Sequence, residues 1–431
     1  MRSIFRAALL AVLVFAVSDS AKSQTSSDPL TADEAVREAL AANQDLQAAR
    51  FSIDIARGGL LQAGRLENPE LELGFPDDFA FNSEGERTGS VGFSQSFPVT
   101  ARLARQKDVA SKNIAIAQAE IRNFVRNLIA EVQSVFYLVR TRDEQLSVNR
   151  RLVASVRVVE DVTSRRVDAA EASPAEVGLL RIERMRLEQD AQRLIRERDV
   201  ATAALARLLG REALAEQTPV GELDPGRFLR PRTIDGPTMR PDLEAASRGI
   251  ERADADRALA RMEVWEDWKV GIGYEGDRQE FDSPIGTKKD SFLSFGVTVP
   301  LPLWNRQQGR VAAAEAERRR RGRARDALVL RINEEVRAAE ARVRTLRMSV
   351  DAYTDEILPE TTRTQELFER GYRQGLMGIA ELLQAQRQYN ESLAFYVELQ
   401  GDLRQASIAL EAAMGSSPHL NDPLSPGGNT P

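Results

Sequence analysis

Few kinds of side chain in this 431-residue chain could do chemistry. It has no cysteine, and its one histidine, His419, sits in a tail rich in Pro, Gly and Ser. A Ser-His-Asp triad, a thiolate metal site and a His-ligated zinc centre in the folded body are therefore excluded on residue supply. The seven Met residues are scattered and offer no cluster for a soft metal. No paired-acid motif for general acid–base work stands out, so neither an enzyme nor a cofactor is expected.

What remains is carboxylate and guanidinium chemistry near two turns. Glu176 and Glu381 stand 205 residues apart, as do Asp168 and Arg373. Each Glu opens a helix three residues after a capping position, and several such carboxylates brought to one narrow place would attract cations and repel anions. A structural role fits as well, because Ser173-Pro174-Ala175-Glu176 reads as a capping box with Pro at the first helical position. The two roles can coexist. Asp168 and Arg373 could pair across neighbouring hairpins as a closed-state latch, although exposed pairs contribute only about 0–1 kcal/mol. The run Arg318 to Arg321, with Arg323 and Arg325, suggests an anion or headgroup contact. Four consecutive residues point all round a helix, which favours a solvated face.

The elements that must position these residues are rods. Val99 to Ser173 contains no Gly or Pro in 75 residues, and its regular part, Ala101 to about Arg166, predicts one helix on the order of 100 Å long. Ile121, Val125, Leu128, Val132, Val135 and Val139 step by four and three, as in a coiled-coil seam. Phe124, Ile129, Phe136, Leu152 and Val159 make a second stripe on another face, so this helix needs neighbours on two sides. Helices set as staves in a wall would supply them.

Composition agrees with rods: aromatic residues are 6% and charged residues 29%. With 59 basic against 65 acidic residues, the net charge of −6 gives no reason to expect nucleic acid. Residues 1–23 read as a signal peptide, with Arg2 and Arg6 ahead of an apolar run from Ala7 to Val17. That run has about half the roughly 20 residues of a spanning helix.

From Leu30 the order of elements repeats. A helix opening on Thr31 and Glu34 runs to Gly64. Two alternating strands follow over about 68–98, separated by a polar loop from Pro76 to Arg87, and then come the long helix and a returning helix ended by Gly210. A Pro-punctuated connector over 211–240 leads to the second copy, 241–415, and a tail at 416–431. In the second copy the strands fall over about 268–300, the long helix over Asn305 to about Arg370 and the returning helix over Ile379 to Met414. Such a drifting offset marks a tandem duplication, with the first repeat spanning 24–210. In the strands, Leu71, Leu73, Val91, Phe93, Phe97, Ile272, Phe295 and Val297 share one greasy face, opposite small or polar residues, as in an outer-membrane barrel. Four strands cannot close a barrel, and open edges are not tolerated in lipid, so several chains must share one.

The signal peptide, the duplicated halves, the two hairpins and the run Ile357-Leu358-Pro359, Tyr372-x-x-Gly375 and Ile379 to Gln386 together resemble the TolC family of outer-membrane efflux proteins, in particular its heavy-metal efflux channels of the CzcC and CusC type. The resemblance implies a mainly α fold with a small antiparallel β part, built as a homotrimer with a long-helix α-barrel and a shared twelve-stranded barrel. It implies an outer-membrane location with a long periplasmic extension, and outer-membrane lipid, a periplasmic adaptor and an inner-membrane resistance-nodulation-division pump as partners. The expected function is an exit duct for heavy-metal cations, with protein secretion or multidrug efflux as alternatives within the same architecture. A periplasmic coiled-coil scaffold is the alternative of another class. In the family, acidic residues at the position of Glu381 line the periplasmic constriction, with a polar position three residues on, here Gln384. Two departures are visible. No N-terminal Cys is present to be acylated, and Trp265-Glu266-Asp267-Trp268 stands where relatives often have Pro.

Overall fold

The computed structural model describes residues 29–76, 87–214, 217–223, 240–282 and 285–415. The expected signal peptide, most of the polar loop after Pro76, most of the connector and the tail with His419 lie outside the described residues. Eight α-helices and four strands are described. In chain order they are α1 (Ala32–Ala42), α2 (Gln44–Gln62), β1 (Glu70–Gly74), β2 (Arg87–Phe97), α3 (Arg102–Asp168), α4 (Pro174–Leu208), α5 (Pro241–Met262), β3 (Trp268–Asp282), β4 (Ile285–Thr298), α6 (Gln308–Ala352), α7 (Leu358–Arg373) and α8 (Ile379–Met414).

Helix α3, 67 residues long, is the spine, and α1, α2, α4, α5 and α8 all pack on it. Both predicted stripes are used: Ile121, Val125, Leu128 and Val132 are buried, and so are Ile129, Phe136 and Leu152. By contrast α6 packs on α5 and α8 and buries only Ala314, Val343 and Val350. Leu330 and Met348 lie exposed along it.

Two expected helices are interrupted. The first breaks at Asn43, whose Oδ1 accepts from the Leu46 N–H at 2.9 Å while its Nδ2 donates to the Leu208 carbonyl at 2.9 Å. One buried side chain thus starts α2 and caps the end of α4. The close approach there requires glycine at 210, where φ is +73° and a Cβ would meet the Ala42 carbonyl oxygen at 2.4 Å. The second interruption falls within the rod expected from Asn305 to Arg370, where Tyr353–Ile357 forms a π turn. Pro359 explains it. A proline in a helix interior removes a donor and clashes one turn back, and widening the turn so that Leu358 N–H reaches Tyr353 O relieves that crowding.

The strands form one antiparallel sheet in the order β1-β2-β3-β4. Register aligns the greasy residues in rows: Leu71, Phe93, Ile272 and Phe295 in one, Leu73, Val91, Tyr274 and Leu293 in the next. All eight are exposed. The opposite face carries rows such as Glu72, Gly92, Gly273 and Ser294. β3 starts at Trp268, so the tryptophan-rich entry does not displace the strand.

The far end of α8 is held by two guanidinium groups. Arg126 donates to the Ala412 carbonyl at 2.6 Å and Arg240 to that of Ala413 at 3.0 Å, satisfying carbonyls the helix leaves unpaired. Arg240 is itself paired with Asp242 at 2.7 Å and Glu335 at 2.8 Å.

Candidate channel constriction

The turns that close the two long hairpins share one local design. In the first, Glu171 N–H bonds to Arg166 O and Ala170 N–H to Val167 O; in the second, Leu376 N–H bonds to Gly371 O and Gly375 N–H to Tyr372 O. Each is a Schellman-type ending with a left-handed residue, Ala170 at φ +59° and Gly375 at φ +72°. Glycine adopts that conformation without strain, whereas alanine does not.

Each returning helix then begins with a Glu at its third position. The Glu176 Oε1 accepts from the Ser173 N–H at 3.3 Å, and Ser173 Oγ accepts from the Ala175 N–H at 3.3 Å. Glu381 Oε2 accepts from the Gly378 N–H at 3.1 Å, but Gly378 has no side chain to return the bond. The capping role expected of both glutamates is therefore present, complete at Glu176 and half-built at Glu381.

Their other surroundings differ. Glu176 is half-buried, and its Oε2 accepts from the Tyr372 hydroxyl at 3.1 Å. Tyr372, only 3% exposed, also meets Thr163 Oγ1 at 2.9 Å. The phenol proton goes to the charged acceptor, and the Thr163 proton is shared between Tyr372 and the Val159 carbonyl 2.9 Å away. Arg166 lies 5.1 Å over the Tyr372 ring and donates to its carbonyl at 3.4 Å. Burial, with the Glu176 carboxylate adding to it, pushes the phenol above its ordinary range, so it remains a proton donor. This knot ties the end of α3 and the start of α4 to the end of α7.

Glu381 and Gln384 are exposed three residues apart on one face of α8. Asp168 is exposed at the last position of α3. Arg373 pairs with Glu369 one turn back on its own helix, and no ion pair joins it to Asp168 within the protomer. The arginine run on α6 is largely answered locally: Arg320 and Arg321 hold Glu317, whose carboxyl falls to about 2 through those hydrogen bonds, and Arg318 reaches Asp254 at 3.2 Å.

Sequence reasoning missed Thr163 altogether and gave Tyr372 no role. A tyrosine on the apolar side of the short, polar α7 was the available signal. Higher up, Glu183, 3% exposed, takes Arg387 at 3.0 Å and links α4 to α8 beside a cavity of about 150 Å³. Among the described residues no group of three His, Cys, Asp or Glu converges as a metal site, and no helix is long and apolar enough to cross a membrane.

Comparison with known proteins returns the same architecture. Residues 238–416 match the family described as outer membrane efflux protein. Over 393 residues the chain is 24% identical to the cobalt-zinc-cadmium resistance protein CzcC of Cupriavidus metallidurans, covering 90% of each protein. It is 22% identical over 412 residues to the pyoverdine export outer membrane protein OpmQ of Pseudomonas putida, covering 88% of this chain and 85% of that one. The solved structure of the channel protein CusC superposes with a TM-score of 0.74 at 16% identity, covering 90% of this chain and 92% of CusC. With its helical spine and its single four-stranded sheet, the chain shares the fold of CusC over most of its length, and its second half matches the outer membrane efflux protein family.

Proposed function

We propose that this protein is the outer-membrane exit duct of a tripartite efflux pump, a homotrimer exporting heavy-metal cations. The observation that carries the reading is the sheet: four strands, greasy rows exposed on one face, small and polar rows on the other, and β1 and β4 left as open edges. Three such sheets joined edge to edge make a twelve-stranded barrel with a lipid side and a wet side. The poorly covered α6 supports the same closure, since another copy laid against it would give it the surroundings α3 has within one chain. The two halves, 24–210 and 241–415, act in this reading as repeats that alternate around the ring. A periplasmic adaptor and an inner-membrane pump of the resistance-nodulation-division class complete the path.

Metal is the cargo here and needs no resident ligand set. Likeness to a cobalt-zinc-cadmium resistance protein supports that cargo, while likeness to a pyoverdine exporter supports small organic cargo as the second reading. At the narrow end, Glu381 and Gln384 line the constriction in this reading, Glu176 holds the Tyr372 knot, and Asp168 meets Arg373 between neighbouring hairpins. The test is deletion of the gene followed by growth on cobalt, zinc or cadmium. Metal sensitivity of the deletion, with tolerance restored by the intact protein, together with a heat-modifiable trimer in the outer-membrane fraction, is expected. Unchanged metal tolerance with lost siderophore or drug export would move the cargo to the second reading.

A further inference from the structure

After β2 the chain enters α3 within four residues, but after β4 it takes nine, residues 299–307, to enter α6. This longer passage is apolar where a loop is usually polar. Strand pairing stops at Thr298, yet the alternation Leu293, Phe295, Val297, Val299 continues in step through Leu301 and Leu303. These side chains are exposed, Leu301 by 65%, and Trp304 beside them, at 86%, is the most exposed large apolar residue described. Such a cluster costs free energy in water and calls for a cover.

The passage is also built to hold its shape. Leu303 N–H bonds to Leu301 O at 2.8 Å, Arg306 N–H to Gln308 Oε1 at 3.0 Å and Gln307 N–H to Asn305 Oδ1 at 3.0 Å. Gln308 Nε2 returns a bond to Trp304 O at 3.1 Å, and Gln307 is kept at φ +55°, a conformation that glutamine adopts only under constraint. Arg306 donates its Nε to Pro302 O at 3.3 Å, and among the described residues no carboxylate takes its terminal nitrogens.

We propose that Leu301 to Arg306 is an anchor for the periplasmic leaflet of the outer membrane, with Leu301, Leu303 and Trp304 in the boundary between acyl chains and headgroups and Arg306 on a lipid phosphate. The inference rests on the reading of the sheet as part of a lipid-embedded barrel. Continuity selects lipid as the occupant: the segment extends the sheet's greasy face beyond its last hydrogen bond, at the end where Phe97 pairs with Trp268 and Trp265 is also exposed. Tryptophan and arginine together suit that depth, the ring lying at headgroup level and the cation reaching the phosphate.

The test uses the full-length protein reconstituted in phosphatidylethanolamine–phosphatidylglycerol vesicles. Trp304 is made the only tryptophan by Trp265→Phe and Trp268→Phe, and lipids brominated at shallow or deep acyl positions serve as quenchers. Shallow bromine should reduce Trp304 emission roughly twofold and deep bromine much less, while aqueous acrylamide quenches weakly. A second variant, Phe295→Trp with all three native tryptophans changed to Phe, reports on the barrel and should be quenched best by deep bromine. Quenching of the Phe295→Trp variant without quenching of Trp304 by either lipid overturns the anchor: acrylamide access then means an aqueous loop, and protection from acrylamide means a contact between protomers. Absence of lipid quenching in both overturns the barrel reading itself. If the variants fail to give heat-stable trimers, Trp304→Cys carrying an environment-sensitive label in this cysteine-free chain reads the same depth. A label emission typical of water in membranes overturns the proposal.

Discussion

Tyr372 and Glu176 are 196 positions apart in the chain, and the phenol of the first donates to a carboxylate oxygen of the second at 3.1 Å. Glu176 divides its two oxygens between that bond and its own helix start. A movement that separates α7 from the α3–α4 hairpin must break the Tyr372 contacts to Thr163 and Glu176 together. If the proposed duct opens by such a movement, it must break one charge-assisted bond, to Glu176, and one neutral bond, to Thr163.

Tyr372→Phe keeps the ring under Arg166 and removes only the hydroxyl. The expected result is a larger resting conductance in planar bilayers and greater entry of bulky antibiotics, at a stability cost of roughly 1 kcal/mol. Thr163→Val should act in the same direction. Wild-type conductance in the Tyr372→Phe, Thr163→Val double variant rejects the gating role of the knot.

Ala170 occupies a left-handed position at φ +59° that glycine fills at the matching turn. Relief of that strain, less the larger entropy of an unfolded glycine, predicts that Ala170→Gly stabilises by up to about 1 kcal/mol. Thermal unfolding followed by circular dichroism would register this as a rise in midpoint with conductance unchanged. A fall in midpoint shows that the Ala170 side chain makes a contact worth more than its strain.

Phe93 and Phe295 lie in the same row of the sheet, each opposite Ile272. A lysine at either should cost roughly 2–4 kcal/mol near the midplane and reduce the yield of heat-stable trimer. Lysine at Ser294, one residue along on the opposite face, should be tolerated. Equal tolerance of lysine on the two faces rules out a lipid-facing row.

Elements set by local pattern were legible in the sequence, and those set by distant partners were not. A stretch without Gly or Pro announced α3, and strict alternation announced the strands and their greasy face, because both depend on neighbours in the chain. The break at Asn43 depends on a carbonyl at Leu208, which no local pattern displays. Ile357-Leu358-Pro359 was visible, but not that a π turn would absorb the proline and keep the rod going. At the turns, position within the helix identified Glu176 and Glu381 as equivalents. Ser173 against Gly378 already tells them apart as caps, but only the fold brings Tyr372 to the first.

Glu411 lies close to the end of α8, where burial pushes its carboxyl above the ordinary range and Arg404 only partly offsets the shift. A carboxylate raised in the folded state contributes stability that is fully present below its unfolded value and is lost as pH rises through its folded one. Glu411→Gln should therefore raise the unfolding midpoint at neutral pH, with the gain shrinking as pH falls toward the unfolded carboxylate range. A gain that is independent of pH would assign the effect to packing instead.

Glu381 provides the sharpest test of the constriction, because its capping duty and its charge can be separated. Its carboxylate accepts the Gly378 N–H, a bond that a glutamine oxygen can also accept, while Gln384 shares its exposed face. Three copies of this face around one narrow opening would bring three carboxylates together. Glu381→Gln should then weaken cation selectivity and relieve block by polyvalent cations, with trimer stability unchanged. Glu381→Ala should add a loss of up to about 1 kcal/mol from the missing cap. Glu176→Gln should behave differently, since its main partner is the Tyr372 hydroxyl: a weaker bond there predicts more leak and little change in selectivity. Single-channel recordings under a salt gradient separate the outcomes, and unchanged reversal potential in Glu381→Gln rejects an acidic ring at this position.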